Sequence, residues 1–149
     1  MRQSTKRRAA LTMIMGATPV LVACGSSGNE LPSFDSLDDT YQAVDRIVDC
    51  SDEAPEPPTK FLESGGPTGD SVMCTNTVEV LWFESEDTRN DVYELLASAA
   101  GSGGSVYFVE GKNWLVADVS EVQVGSTPEK NVDMENLAEQ LNGKYTVEQ

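Results

Sequence analysis

The chain has 149 residues, with 25 acidic side chains against 10 basic ones and no histidine, so its formal net charge is −15. A charge of this sign and size repels phosphate backbones, and we therefore expect no nucleic-acid partner. The lack of histidine removes the commonest general base and the commonest transition-metal ligand.

The chain begins with a basic segment that leads into an apolar one. Four basic residues stand within the first eight positions: Arg2, Lys6, Arg7 and Arg8. The apolar run over residues 9–23 is interrupted by Gly16 and Pro19. A permanent membrane helix needs about 20 apolar residues, so this run indicates a signal segment instead.

The apolar run ends in Leu21-Val22-Ala23-Cys24. This stretch resembles the lipobox of bacterial lipoprotein precursors, in which small residues precede an invariant cysteine. The resemblance implies a diacylglyceryl lipid on Cys24, cleavage between Ala23 and Cys24, and an acylated protein anchored to the extracytoplasmic face of the cell membrane. Two acyl chains anchor stably where one does not. The alternative is an ordinary secretory signal, in which Cys24 is incidental.

We therefore predict three parts: a signal peptide over residues 1–23, a lipidated flexible tether over residues 24–35, and a single domain over residues 36–149. The tether begins with Gly25-Ser26-Ser27-Gly28, a flexible composition. The mature chain keeps 6 basic and 25 acidic residues, a formal net charge of −19. Its length is sufficient for one domain with a hydrophobic core.

With Cys24 assigned to lipid, Cys50 and Cys74 remain as a pair in an oxidising compartment. We predict a disulfide between them. A reactive thiol pair is the alternative, but the spacing is not Cys-x-x-Cys and no base stands nearby.

The first predicted helix begins at Ser36, which forms a capping-box pattern with Asp39, and runs to about Asp49. A loop rich in proline and glycine follows over residues 51–70. Three acidic residues in this loop could collect calcium together with backbone carbonyls: Asp52, Glu53 and Glu56. No EF-hand spacing fixes that geometry, and a solvated acidic loop is the simpler interpretation.

Strands are predicted over residues 71–75 and 77–83, and a second helix begins at Ser85. Strands over residues 106–109 and 114–119 form a hairpin around Gly111-Lys112-Asn113. A last helix opens at Thr127-Pro128 or Asn131 and ends at Gly143, and residues 145–147 add a brief strand.

Two hairpins and three amphipathic helices predict an α+β fold, a small two-layer sandwich with an antiparallel sheet of about four strands. The predicted core contains strand residues packed against three helix stripes: Val80, Leu81 or Trp82, Val106, Phe108, Trp114, Val92, Leu95, Leu96, Leu137 and Leu141. Most of the mature chain also resembles small uncharacterised cell-envelope lipoproteins of actinobacteria. The shared features are the lipobox, a cysteine pair that flanks a loop rich in proline and glycine, a strand followed by an acidic helix start, and the Gly-x-x-Trp hairpin from Val109 to Val116. That resemblance implies architecture and no particular activity.

Few residues stand out as catalytic. Glu79 and Glu84 lie on or beside an aromatic strand and are the only acids we would suspect of hydrolytic chemistry. Trp82 and Trp114 could form a ligand surface, but strand tryptophans belong more often to the core. Arg89 is interpreted as a partner of Glu86 or Asp87 in a surface ion pair.

The sequence therefore predicts a non-enzymatic, membrane-tethered binding or interaction module of the cell envelope. It would carry no cofactor apart from its lipid, and its partner would be another envelope protein or a wall component. The alternatives are a lipid-anchored hydrolase or wall-modifying enzyme with paired carboxylates, and a calcium-responsive structural domain.

Overall fold

The computed structural model describes residues 30–51, 69–101, 103–123, 125 and 127–149. Within these ranges no helix combines the length and the apolar character needed to cross a membrane. The predicted signal peptide, the predicted cleavage site between Ala23 and Cys24, and the acidic residues Asp52, Glu53 and Glu56 lie outside the described residues.

Three helices and five strands form the domain. In chain order they are α1 (Leu37–Val48), β1 (Asp70–Met73), β2 (Val78–Trp82), α2 (Glu86–Ala97), β3 (Val106–Glu110), β4 (Trp114–Asp118), α3 (Met134–Leu141) and β5 (Lys144–Glu148). The strands pair antiparallel in the order β1-β2-β4-β3-β5. The predicted α+β class is confirmed, with β5 as a fifth strand at the edge.

Capping residues set where the helices begin. The Ser36 and Ser85 hydroxyls accept hydrogen bonds from the backbone N–H groups of Asp39 and Thr88, each at 3.1 Å, as predicted. The last helix begins later than the sequence suggested. Its cap is Asp133, whose carboxylate accepts from Asn136 N–H at 2.9 Å. The first backbone N–H groups of a helix have no partner within the helix, and the short Asp133 side chain can accept from one of them. Pro128, further upstream, has no side-chain acceptor, so α3 begins after Asp133.

Helices cover both faces of the sheet, which gives three layers where the sequence predicted two. On one face α1 and α3 pack over Val80, Val109 and Trp114. On the other face α2 contributes Val92 and Leu96 to a second cluster. The reason is that β2, β3 and β4 carry apolar side chains on both faces, and each face needs cover.

Most of the predicted core is buried, but Leu95 is 44% exposed and its prediction was wrong. The face of α2 that meets the sheet contains Arg89, Val92 and Leu96 instead. Leu95 comes one residue before Leu96, and one residue of an α-helix corresponds to a rotation of about 100°, so the Leu95 side chain lies off this stripe. Because Arg89 is part of the buried face, the helix presents a different face to the sheet from the one predicted. The spacing of apolar residues alone does not show which face a buried arginine selects. Trp82 and Leu141 are half-buried, and Leu137 is fully buried.

The predicted disulfide between Cys50 and Cys74 is confirmed, with 4.6 Å between the two Cα atoms. It joins the chain just after α1 to the end of β1. The backbone N–H of Ser51 also donates to the Cys74 carbonyl at 2.8 Å. A disulfide is consistent with an extracytoplasmic protein, because disulfides persist in oxidising compartments.

The last residues of the predicted tether lie against the domain. The Pro32 carbonyl accepts hydrogen bonds from the Trp114 indole at 3.0 Å and from Lys112 N–H at 2.8 Å. The Phe34 carbonyl accepts from the Asn113 side chain and from the Trp82 indole, at 2.8 and 2.9 Å. The ordered domain therefore extends several residues before Ser36.

Candidate functional site

A concave groove of about 330 Å³ lies where β4 and β3 meet the first turn of α3. Tyr107 and Asp118 stand opposite each other on β3 and β4. The groove extends along β5 to Tyr145, which is 36% exposed. Their side chains emerge on the face that α1 and α3 cover, where the start of α3 leaves part of the sheet open.

The groove is negatively charged. Four carboxylates line it, and none of its lining residues is basic: Asp118, Glu121, Asp133 and Glu135. The Tyr107 hydroxyl donates to Glu121 at 2.5 Å and Ser105 N–H donates to the other carboxylate oxygen at 2.8 Å. These bonds lower the pKa of Glu121, so it stays ionised at neutral pH.

The surroundings of the groove raise the pKa values of its two tyrosines, Tyr107 and Tyr145. The bond to Glu121 raises the pKa of Tyr107, and burial together with the charges of Glu135 and Asp133 raises the pKa of Tyr145. Both phenols therefore stay neutral hydrogen-bonding groups with an apolar ring. Two aromatic rings among carboxylates suit recognition of a polar or cationic surface more than bond cleavage. No sequence motif indicated this groove, because its parts come from four separate segments.

A smaller cleft of about 220 Å³ holds Glu84, one of the two acids suspected from the sequence, together with Asp70. It is lined by Gly69, Asp70, Trp82 and Glu84, and both acids are exposed. Two-carboxylate hydrolysis requires an acid kept protonated by an apolar pocket. Open exposure of both carboxylates does not provide that environment.

Glu79 is the one suspected acid that the fold buries, at 7% exposure. It lies on the α2 face of β2, opposite Met73 and Ala117. Its Oε1 atom has no hydrogen-bond partner among the described residues. Burial raises the pKa of Glu79 and outweighs the opposing hydrogen bond with Ser71. Trp114 is fully buried in the core, as interpreted from the sequence.

Glu79→Gln is expected to stabilise the domain at neutral pH. A raised folded-state pKa means that the contribution of Glu79 to stability is complete below the ordinary glutamate pKa and is lost as the pH rises through the folded value. The neutral amide avoids that loss. Thermal unfolding between pH 4 and 8 should show a gain for the variant at pH 7 that shrinks towards pH 4. Glu84→Gln, at an exposed neighbouring acid, is the control; an equal gain there would contradict this assignment.

Arg89 forms the expected ion pair with Glu86, but it is buried at 4% exposure, so the interpretation that it lies on the surface was wrong. Its guanidinium lies 2.5 Å from the Glu110 carboxylate and 3.8 Å from Glu86. The other oxygen of Glu110 accepts from Thr146 at 2.7 Å and from Lys144 at 3.1 Å. Although burial acts to raise the pKa of Glu110, these hydrogen bonds outweigh it and the pKa is lowered.

The ion pair joins α2 to β3 and β5 and has a structural role. The one sequence signal for the burial of Glu110 is the two-residue period of a strand. Val106, Phe108 and Glu110 lie on the same face of β3, and the first two are apolar. A second link between the same elements runs from the Tyr93 hydroxyl to Glu148 at 2.5 Å.

In the described parts of the chain, no group of three or more cysteine or acidic side chains is arranged to hold a metal ion. Cys50 and Cys74 are joined to each other and are not available as nucleophiles. A comparison of the chain with protein-family models, with curated proteins and with solved structures finds no match.

Proposed function

We propose that this chain is a lipid-anchored, extracytoplasmic binding module of the cell envelope with no catalytic activity of its own. The observation that carries the proposal is the bridge between Cys50 and Cys74. It uses two of the three cysteines and leaves Cys24, directly after Leu21-Val22-Ala23, for lipid. Disulfide formation and lipidation at a lipobox both belong outside the cytoplasm.

The tyrosine-lined acidic groove supports a binding role. In its concave surface of about 330 Å³ two tyrosine rings lie among four carboxylates. In the groove Glu121 stays ionised, and the Asp118 carboxylate accepts a hydrogen bond from Ser120 N–H at 2.9 Å. A partner in the envelope, either a protein or a wall component, would contact Tyr145 and the surrounding acids.

Cys24 is expected to be acylated and to be the first residue of the mature protein. Mass spectrometry of a membrane fraction should find an N-terminal peptide that begins with a diacylglyceryl-modified Cys24. Cys24→Ala should move the protein out of that fraction, whereas Cys50→Ala should leave the acylation intact. A soluble, secreted form with a free Cys24 thiol would contradict the proposal.

The binding role is tested with Tyr145 and Leu95, the two large apolar side chains that are exposed in the described residues. The mature chain should co-sediment with a cell-envelope preparation of the source organism. Tyr145→Ala should weaken that association several-fold, and Leu95→Ala, far from the groove, should not. Equal effects would argue against the groove.

The hydrolase alternative predicts a different result in the same preparation. Release of soluble wall fragments that Glu79→Gln or Glu84→Gln abolishes would replace the binding module with a carboxylate-dependent enzyme.

A further inference from the structure

The strand β5 forms one edge of the sheet, and among the described strands it pairs with β3 alone. Gly111 N–H donates to the Trp114 carbonyl at 3.0 Å, and this bond sets the alternation of hydrogen bonds between β3 and β4. By that alternation the even-numbered residues of β3 direct their backbone groups at β5, where they pair with even-numbered residues. The backbone N–H and C=O groups of Tyr145 and Val147 therefore point outward, away from the sheet.

This edge can accept an additional strand. An extended chain about 4.8 Å away would pair with the outward donors and acceptors of Tyr145 and Val147. Proline and charged side chains are the usual protection of an edge, and β5 contains no proline. Its one lysine, Lys144, is directed back at the neighbouring strand, where its ammonium lies 3.1 Å from the Glu110 carboxylate. The edge is therefore open to backbone pairing.

The two faces beside this edge differ in charge. On the face that carries α3, burial and the charges of Glu135 and Asp133 raise the pKa of Tyr145, so both carboxylates lie near its hydroxyl. These carboxylates are exposed, and no basic residue lines the groove that they share with Tyr145. On the opposite face the two charged residues of β5 are already bound within the domain. Uncompensated negative charge therefore lies on one side of the edge.

An added strand would place its alternate side chains on these two faces. Side chains on the α3 side would stand beside Tyr145 and the acidic groove, where a lysine or arginine would face carboxylates and a phenol ring. Side chains on the other side would meet groups whose charges are paired, and a neutral polar residue suits that position. Charge complementarity thus selects a basic residue at every second position of the incoming segment.

We propose that β5 and the tyrosine-lined groove together bind an extended segment of a partner protein, which adds to the sheet as a sixth strand and carries lysine or arginine at alternate positions. The inference rests on the proposed function and names the chemistry of its partner. The mature chain keeps 6 basic and 25 acidic residues, and this excess of negative charge steers a basic segment towards the domain.

The test measures binding of labelled synthetic peptides to the mature chain with Cys24→Ala, by fluorescence anisotropy. The probe peptide alternates lysine with threonine. One control replaces each lysine with glutamate, and a second keeps the composition but collects the lysines in one block and the threonines in another. The alternating lysine peptide should bind at least about five-fold more tightly than either control, and more weakly as salt is added. Equal binding of the alternating and the blocked peptide would overturn the added strand.

A variant of β5 tests the backbone edge. Val147→Pro removes an outward N–H that takes no part in the pairing with β3, and proline is tolerated at such an edge position. It should weaken binding of the alternating peptide at least about five-fold, whereas Val147→Ala, which keeps the N–H, should bind as wild type does. In wild type, hydrogen exchange at the Tyr145 and Val147 amides should slow when the peptide binds. Unchanged exchange at both amides would contradict the proposal without reference to any variant.

A second pair of variants tests the charge beside the edge. Glu135→Gln removes a carboxylate near Tyr145 and should weaken binding of the alternating lysine peptide several-fold. Glu94→Gln removes an exposed acid from α2, on the other face of the sheet, and should leave binding unchanged. Equal losses in the two variants would show that the net charge alone attracts the peptide. Thermal unfolding confirms that each variant is folded.

Failure of this inference and failure of the proposed function give different results. If the chain is acylated at Cys24 and co-sediments with the envelope through Tyr145, but the alternating peptide binds no better than its controls, the proposed function stands and the added strand is wrong. If Cys24 carries no acyl group and the chain does not co-sediment, but the peptide binds and Val147→Pro weakens it, the strand site stands and the proposed function is wrong.

Discussion

Arg89→Ala should lower the free energy of unfolding by about 3–5 kcal/mol, the usual cost of removing one partner from a buried ion pair. The reason is that Glu110 would stay buried with its charge only partly compensated by Lys144 and Thr146. Arg46→Ala, at an exposed arginine on α1, is the matched control and should change stability by less than about 0.5 kcal/mol. Urea denaturation measures both variants.

The same pair gives the stability a definite pH dependence. Because the pKa of Glu110 is lowered on folding, its contribution is present above the ordinary glutamate pKa and is lost as the pH falls through the folded value. The difference between wild type and Arg89→Ala should therefore shrink in acid. Replacing both partners, as Arg89→Met with Glu110→Leu, should recover much of the loss. A single variant as stable as wild type at pH 7 would show that the pair contributes nothing.

Removal of the disulfide should cost a comparable amount, about 2–5 kcal/mol. The bridge closes a loop with a sequence separation of 24, for which loop-closure entropy in the unfolded chain gives about 3.5 kcal/mol. Cys50→Ala combined with Cys74→Ala avoids leaving a thiol in the buried position of Cys74. Guanidinium denaturation of this double variant, compared with wild type before and after reduction, measures the effect.

Reduction supplies the internal control for this experiment. Reduced wild type should approach the stability of the double variant, and the variant should not respond to reductant. Equal stability of oxidised and reduced wild type would mean that the bridge does not constrain the unfolded chain.

The sequence by itself determined those features that depend on neighbouring residues. Ser36 and Ser85 cap their helices because the bond from a side chain to a backbone N–H three residues later is local. The hairpin around Gly111 and the alternation along β2 likewise follow from short-range rules. Cys50 and Cys74 could be paired by elimination, since three cysteines and one predicted lipid site leave one pair.

Only the tertiary structure decided the features that join distant segments. Arg89 faces inward and Leu95 faces solvent, because the partner of Arg89, Glu110, lies on strand β3, 21 positions later. The carbonyls of Phe34 and Pro32 accept hydrogen bonds from the indoles of Trp82 and Trp114, which are 48 and 82 positions away. The groove likewise combines β3, β4, β5 and the start of α3. Periodicity and capping act over a few residues and fix each element, whereas burial of charge and concave surfaces depend on how the sheet and helices pack.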